Sequence, residues 1–295
     1  MKLLITGANG FVAGSVIAHA KGKFEIHGID IAGHPVNHHS GNYYSLDLLD
    51  DQKLTTVFND IHPDVVIHAA AMANIDECQY NQERAGQINV GITETIARLC
   101  QQSNAKMILC STDTVFDGTK GNYIETDLPH AVNFYAETKI RAEKIVLSAS
   151  GKNVVARLSL VMGMPVMGQG NSFLADTLNK LKQGTPVSFP ANEIRTPIDV
   201  VTLGSALVEL AGNDFTGIVH LAGNTKVTRF DMACLIATQT GFSPNLIISV
   251  NSNSIEGRAP RPNNASMNNS LAARILKTPM KTLAEGLDLT LNFKI

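Results

Sequence analysis

The sequence predicts an α/β protein: a doubly wound parallel sheet with a smaller, discontinuous C-terminal α/β lobe. Three observations predict it. A short apolar run at the N-terminus passes through a glycine turn into a helix. Further apolar runs alternate with helical stretches through the first half, the pattern of parallel strands joined by crossover helices. The chain has 295 residues, 44% of them hydrophobic, enough for a large core and a second lobe.

In order, residues 2–5 read as a buried strand, and Thr6-Gly7-Ala8-Asn9-Gly10-Phe11-Val12-Ala13-Gly14 opens a helix running to residue 19. Gly7 and Gly10 allow the backbone close to a pyrophosphate, whose charge suits the positive end of that helix. The next strand, residues 25–29, ends in Asp30, about twenty residues past the loop, where an acid accepts hydrogen bonds from an adenosine ribose. No arginine follows at once, so a 2′-phosphate meets Asp30 without a counter-charge, which favours NAD over NADP. Residues 33–41 carry His34, His38 and His39 with no cysteine or carboxylate beside them, and read as a solvated loop rather than a metal site. A strand at 43–46 ends at Asp47-Leu48, where Asp47 can also serve as a helix cap.

Residues 63–68 form a continuous apolar strand that delivers Ala69, Ala70 and Ala71, small enough for a nucleotide to approach the backbone. Between 84 and 103, Ile88, Ile92, Ile96 and Leu99 make a helical stripe that is core or a dimer face. The strand at 106–110 brings Ser111-Thr112 to the sheet's C-terminal edge, where open α/β sheets bind ligands. Strand alternation turns Thr112 to the site and Ser111 away. In the helix at 135–149, Tyr135 and Lys139 share one face, and a lysine cation beside a phenol is expected to lower its pKa toward neutrality. A strand at 154–158 follows. The glycine- and methionine-rich stretch 163–171 is either a substrate lid or a connector. Residues 173–182 and 197–210 read as helices, and 217–221 as a strand returning to the main sheet. The expected division is therefore 1–158 with 197–224 for the dinucleotide domain, and 159–196 with 225–295 for the lobe. Arg258 and Arg261 are either a diphosphate fork in the lobe or salt-bridged surface arginines.

A formal charge of −2 gives no general attraction to nucleic acid or to an anionic membrane. No apolar run approaches the about 18 residues of a membrane span, and the first strand leaves no room for a signal peptide, so a cytoplasmic protein is expected. Cys78, Cys100, Cys110 and Cys234 form no C-x-x-C pair and read as reduced structural thiols.

Four segments together resemble the extended short-chain dehydrogenase/reductases, in the dTDP-4-dehydrorhamnose reductase branch (the RmlD-like branch). They are Gly7-Ala8-Asn9-Gly10-Phe11, His68-Ala69-Ala70-Ala71, Ser111-Thr112-Asp113-Thr114-Val115-Phe116-Asp117-Gly118, and Tyr135-Ala136-Glu137-Thr138-Lys139. Arg261-Pro262-Asn263-Asn264 is similar to a segment of that branch and of its non-enzymatic cousin, the methionine adenosyltransferase regulatory beta subunit. His220-Leu221-Ala222-Gly223-Asn224 and Asp231-Met232-Ala233-Cys234 look closer to the cousin. The resemblance implies a Rossmann fold and a cofactor site of Gly7, Asn9, Gly10, Phe11, Val12, Asp30, Asp47, Leu48, Ala69, Ala70, Ala71, Cys110, Tyr135 and Lys139. It implies Thr112, Tyr135 and Lys139 as catalytic groups, Asn89 as a brace of the central sheet, and Thr112, Thr114, Leu160 and Arg261 near the substrate. Thr114 and Leu160 stand where the reductases carry a tyrosine and a tryptophan, and Ala13 replaces the loop's third glycine. The implied activity is reduction of a keto group on a nucleotide-linked, dTDP-4-keto-6-deoxy-type or related sugar, with NAD preferred or NADP, by a possible homodimer. An NAD-dependent nucleotide-sugar epimerase or dehydratase, and a non-catalytic regulatory subunit, are the alternatives.

Overall fold

The fold is that of a computed structural model, which describes residues 1–32, 41–167 and 172–294. His34, His38 and His39, and the end of the 163–171 stretch, lie outside the described residues. The chain begins β1 (Lys2–Thr6), α1 (Phe11–Ala20), β2 (Glu25–Asp30), β3 (Asn42–Ser45), α2 (Asp51–Ile61) and β4 (Val65–His68). It continues through α3 (Ile75–Tyr80), α4 (Gln82–Gly86), a π-helical turn Gln87–Gly91, α5 (Ile92–Ser103), β5 (Lys106–Thr112), α6 (Phe134–Ala149) and β6 (Val154–Leu158). Next come β7 (Val161–Met162), α7 (Phe173–Lys182), β8 (Val187–Pro190), β9 (Ile194–Arg195), β10 (Ile198–Asp199), α8 (Val200–Gly212) and β11 (Gly217–Leu221). The last elements are β12 (Val227–Thr228), α9 (Arg229–Gln239), β13 (Ile247–Val250), α10 (Ser270–Ile275) and α11 (Leu283–Asn292).

The central sheet is seven-stranded and parallel, ordered β11-β6-β5-β4-β1-β2-β3. Alternation along each strand explains why these strands read as continuous apolar runs. Leu3, Ile5, Val65, Ile67 and Ile108 pack on one face with Val16 and Ile17 of α1 and Leu203 and Leu207 of α8. Leu4, Val66, Met107 and Leu109 pack on the other with Leu54 and Phe58 of α2, Ile96 and Leu99 of α5 and Val146 of α6. The Ile92, Ile96 and Leu99 stripe is therefore core. The outward faces of α5 and α6 carry Glu94, Arg98, Glu137, Arg141 and Lys144 instead. Smaller two-stranded pairings, β10 with β7, β12 with β9 and β13 with β8, lie outside this sheet. The segment 197–210, expected to be helical throughout, opens with β10, and α8 begins only at Val200, capped by the Asp199 carboxylate on Thr202 N at 2.8 Å. No helix among the described residues is long and apolar enough to cross a membrane.

Arg157 and Glu143 are buried as an ion pair. Arg157, 1% exposed, donates from Nη2 and Nε to Glu143 at 2.8 and 3.1 Å, and Ser111 donates its hydroxyl to the same carboxylate. Ser111 thus points away from the sheet edge as its strand position requires. Two histidines are buried without charge. Burial, with Lys139 nearby, lowers His68 to about 3, and burial with Arg157 lowers His220 to about 3. In the unfolded chain each takes up a proton near its ordinary value of about 6.5. Between there and pH 3 the unfolded state binds more protons, so stability falls as pH falls through that window, by up to about 1.4 kcal/mol per pH unit for each histidine. We expect the urea midpoint to drop between pH 7 and pH 5. The dependence should be shallower in His220→Gln, and an equally steep one would show that His220 is not part of it.

Candidate active site

The site forms at the sheet's topological switch point, where β1 leads away from β4 on either side of one crevice. Gly7 has φ +68, and a Cβ on it would lie 2.9 Å from Ala70 N and Cα. Glycine is required here on both counts, because the turn is left-handed and the two loops touch. Gly10 N donates to Gly7 O at 2.8 Å and caps α1 with no side chain, leaving the first turn of that helix open to an anion. Asp30 Oδ2 accepts from Asn9 N at 3.0 Å and Oδ1 from Ala32 N at 3.1 Å, so the β2 carboxylate holds the glycine loop as well as facing the crevice.

Two cavities share Ala69 and Ala71. One, about 460 Å³, is lined by Gly7, Gly10, Asp30, Asp47, Leu48 and Ala70. The other, about 340 Å³, is lined by Val12, Cys110, Thr112, Thr114, Tyr135, Lys139, Leu160 and Arg261. Sequence-distant candidates from six strand ends and two helices are thereby brought together. Asn9 and Phe11 belong to the loop but line neither cavity. Asp47 accepts from Leu49 N at 3.0 Å, while the cap of α2 is Asp50.

Thr112 ends β5 and caps the short turn after it, accepting from Thr114 N at 3.2 Å, with Thr114 Oγ1 3.1 Å away. Tyr135 is 9% exposed. Burial pushes its phenol well above the ordinary range, Cys78, Asp113 and Cys110 push it further, and the Thr112 hydroxyl offsets only part. Burial thus acts on the Tyr135 phenol in the direction opposite to the lowering expected from Lys139. Lys139 is itself lowered by burial, against Cys110 and Glu143, and its Nζ makes no hydrogen bond to a described residue.

A buried chain of hydrogen bonds runs behind these groups. Thr93 Oγ1 donates to Asn89 O at 2.8 Å, so it accepts from His68 Nε2 at 3.1 Å, and His68 Nδ1 accepts from Thr6 Oγ1 at 2.7 Å. Asn89 Nδ2 donates to Met72 O at 3.0 Å and to Thr138 Oγ1 at 3.1 Å, and Thr138 donates to Tyr135 O at 2.7 Å. Asn89 Oδ1 accepts from Met72 N at 2.8 Å. The π-turn at Gln87–Gly91 carries Asn89 into this position.

Four charged residues at the lobe side were not foreseen. Asp113, Glu193, Arg195 and Arg229 all line the smaller cavity, and the first three are buried. Burial raises Asp113, and Arg195, with Nε 3.6 Å from Asp113 Oδ2, opposes it. The available sequence signal was Glu193-x-Arg195, two charges sharing one side of a short strand. Arg261, expected as a ligand fork, donates to Asp76 Oδ2 at 2.9 Å and to Ala259 O at 2.6 Å. That contact, with the Ala259 N–H bond, outweighs the effect of burial and holds Asp76 below the usual carboxylate range.

Comparison with known proteins gives the scaffold its place. The model of the RmlD substrate binding domain matches residues 1–293. The chain belongs to this family. Among curated RmlD-like relatives, methionine adenosyltransferase 2 subunit beta from Mus musculus is 27% identical over 290 residues, covering 95% of this chain and 85% of that one. dTDP-4-dehydrorhamnose reductase from Aggregatibacter actinomycetemcomitans is 28% identical over 244 residues, 80% of this chain and 78% of that one. The crystal structure of dTDP-4-dehydrorhamnose reductase from Bacillus anthracis in complex with NADP superposes with a TM-score of 0.88 at 23% identity, covering 98% of each chain. The relatives thus include one named as a reductase and one named as a subunit of an adenosyltransferase, and the fold alone does not choose between them.

Gly7→Ala should weaken NADH binding by about tenfold or more, since its backbone is left-handed and its Cβ would meet Ala70. Fluorescence titration checks this, and unchanged affinity would remove the glycine loop from the cofactor site.

Proposed function

We propose that this chain is an NAD(P)-dependent reductase of a keto group on a nucleotide-linked or related sugar, with NAD preferred. The observation that carries the proposal is that Thr112, Tyr135 and Lys139 open into one cavity that adjoins the glycine-loop groove through Ala69 and Ala71. The groove residues fit a dinucleotide: Gly7 and Gly10 lie along it, α1 begins beside it, and Asp30 stands where a ribose would be held.

When bound, the cofactor supplies a hydride to the carbonyl carbon. Tyr135 gives its phenolic proton to the oxygen that becomes the hydroxyl. Burial, which raises the phenol, favours the protonated form that this step needs. Lys139, whose ammonium makes no hydrogen bond to a described residue, binds the nicotinamide ribose and offsets the phenolate left on Tyr135. Thr112 donates to the carbonyl oxygen and orients it. Ala69, Ala71 and Cys110 keep the surroundings small and apolar, which excludes water from the reacting atoms.

The preference for NAD rests on Asp30. Its carboxylate lines the groove and is anchored through both oxygens, so it cannot easily turn away from a 2′-phosphate. A regulatory role is the second reading, favoured by the match to methionine adenosyltransferase 2 subunit beta across 95% of this chain.

The deciding experiment follows absorbance of the reduced nicotinamide while the protein meets a panel of dTDP- and UDP-linked keto sugars. Oxidation with one of them establishes a reductase. Silence with all of them, alongside tight NADH binding, would sink the reductase and leave the epimerase and the regulatory subunit. Tyr135→Phe should lower kcat by about a hundredfold or more while leaving NADH affinity unchanged; a retained rate would remove its role as proton donor. Asp30→Ala should shift the NADH/NADPH preference toward NADPH by about tenfold, read as a ratio of kcat/KM. A wild type that already prefers NADPH would overturn the Asp30 argument.

A further inference from the structure

The Thr112 hydroxyl, at the end of β5, has one proton to give and two lone pairs to fill. Its neighbours decide which of these a substrate meets. Thr114 N donates to Thr112 Oγ1 at 3.2 Å, and Thr114 Oγ1 lies 3.1 Å from the same oxygen. Asp113 Oδ1 accepts from Thr112 at 3.3 Å, and the Tyr135 phenol is hydrogen-bonded to the same hydroxyl, which lowers it as a donor does. Most of these directions are fixed. An N–H only donates. Asp113 is kept as an acceptor by the Ser159 hydroxyl at 3.4 Å, by Leu160 N–H and by Arg195 Nε at 3.6 Å. The bond between the two threonine hydroxyls is the one whose direction the distances leave open.

Proton counting closes it. Thr114 is 7% exposed, and Thr112 is the one hydrogen-bond partner of its hydroxyl among the described residues. Thr112 has two acceptors for its own proton, Asp113 Oδ1 and the phenol oxygen. If Thr112 gave that proton to Thr114, the Thr114 proton would be left buried without an acceptor, which is costly. The arrangement that uses both protons runs from Thr114 to Thr112 and on to Asp113 or Tyr135. Thr112 then accepts twice, from the N–H and from the hydroxyl of Thr114, and both of its lone pairs are taken.

We propose that Thr114 is a positioning residue, whose hydroxyl, together with its own N–H, fills the acceptor sites of Thr112 and leaves Thr112 able only to donate toward the reacting oxygen. This rests on the reductase reading above. Asp113 Oδ1 holds the Thr112 proton when no carbonyl is present, and at 3.3 Å that bond is long and readily exchanged for one to a substrate. Without the Thr114 hydroxyl one lone pair of Thr112 opens, and the Tyr135 proton turns to it instead of to the substrate. Thr114 therefore keeps two protons, those of Thr112 and Tyr135, aimed at one oxygen in the cavity that all three residues line.

Two measurements test this, one of turnover and one that needs none. With a keto sugar that the wild type reduces, Thr114→Val, which keeps the shape and removes the hydroxyl, should lower kcat by about tenfold while KM and NADH affinity stay within about twofold. Thr114→Ser should restore kcat to within about threefold of the wild type. In protein labelled with 13C at the tyrosine Cζ, with Tyr135→Phe identifying the resonance, Thr114→Val should move the Tyr135 signal and Thr114→Ser should leave it near the wild-type position. Should Thr114→Val not fold, Thr114→Ala is read the same way. A Thr114→Val protein with unchanged kcat overturns the proposal. So does one whose KM rises at constant kcat, which would make Thr114 a wall of the cavity only, and so does a fall in kcat that Thr114→Ser does not restore. An unmoved Tyr135 resonance overturns it whatever the kinetics. A wild type that oxidises NADH with no sugar, together with a resonance that moves in Thr114→Val, leaves the threonine pair standing and sinks the reductase alone.

Discussion

The hydrogen-bond chain from Thr6 through His68, Thr93, Asn89 and Thr138 to the carbonyl of Tyr135 is the constraint on which the site depends. It joins the end of β1, the end of β4, the π-turn and α6, the elements that carry the glycine loop, the alanines and the tyrosine. Each hydroxyl in it both donates and accepts, so the proton positions are fixed and His68 has one consistent tautomer. A buried network satisfied in this way is rigid, because breaking any link leaves a polar group without a partner in a low-dielectric interior. The same chain explains why His68 is neutral: a protonated ring would need an acceptor at Nδ1, where Thr6 is already turned to donate.

The two ends of the smaller cavity are electrostatically unlike. Around Tyr135 and Cys110 burial suppresses charge, with the Cys110 thiol pushed up to about 12 and the phenol higher still. Around Glu193 three arginines lie within 3.8 Å of one carboxylate. A neutral, proton-donating end beside a cationic end suits a ligand whose reacting group is uncharged and whose remaining part is an anion. Thr114 and Leu160 line the wall between them. Both are smaller than the aromatics that the reductases carry at those positions, so the wall is less bulky here.

The parallel strands and the doubly wound class were legible because each depends on a local rule. Continuous apolar runs bounded by turns marked the strands, and the glycine turn marked the passage from β1 into α1, since neither signal needs a distant residue. Strand alternation separates the Thr112 and Ser111 hydroxyls, the latter turned to Glu143, although both residues line the smaller cavity. The 197–210 segment was less legible, since nothing local distinguishes Ile198–Asp199 as a strand; its pairing with Val161–Met162 is a tertiary event.

What the sequence determined by itself was the scaffold and the identity of the groups at the sheet edge, for those follow from periodicity and from spacings within one strand–turn–helix unit. What only the tertiary structure decided was their state and their company. The lysine four residues from Tyr135 suggested a lowered phenol pKa, but burial beside Asp113, Cys78 and Cys110 has the larger effect, and burial is a property of the assembled fold. Arg261 reads as a free fork until Asp76, 185 positions away, is seen to hold it. Glu193 and Arg229 are 36 residues apart, and nothing local marks them as partners until β9 and the start of α9 bring them to one recess.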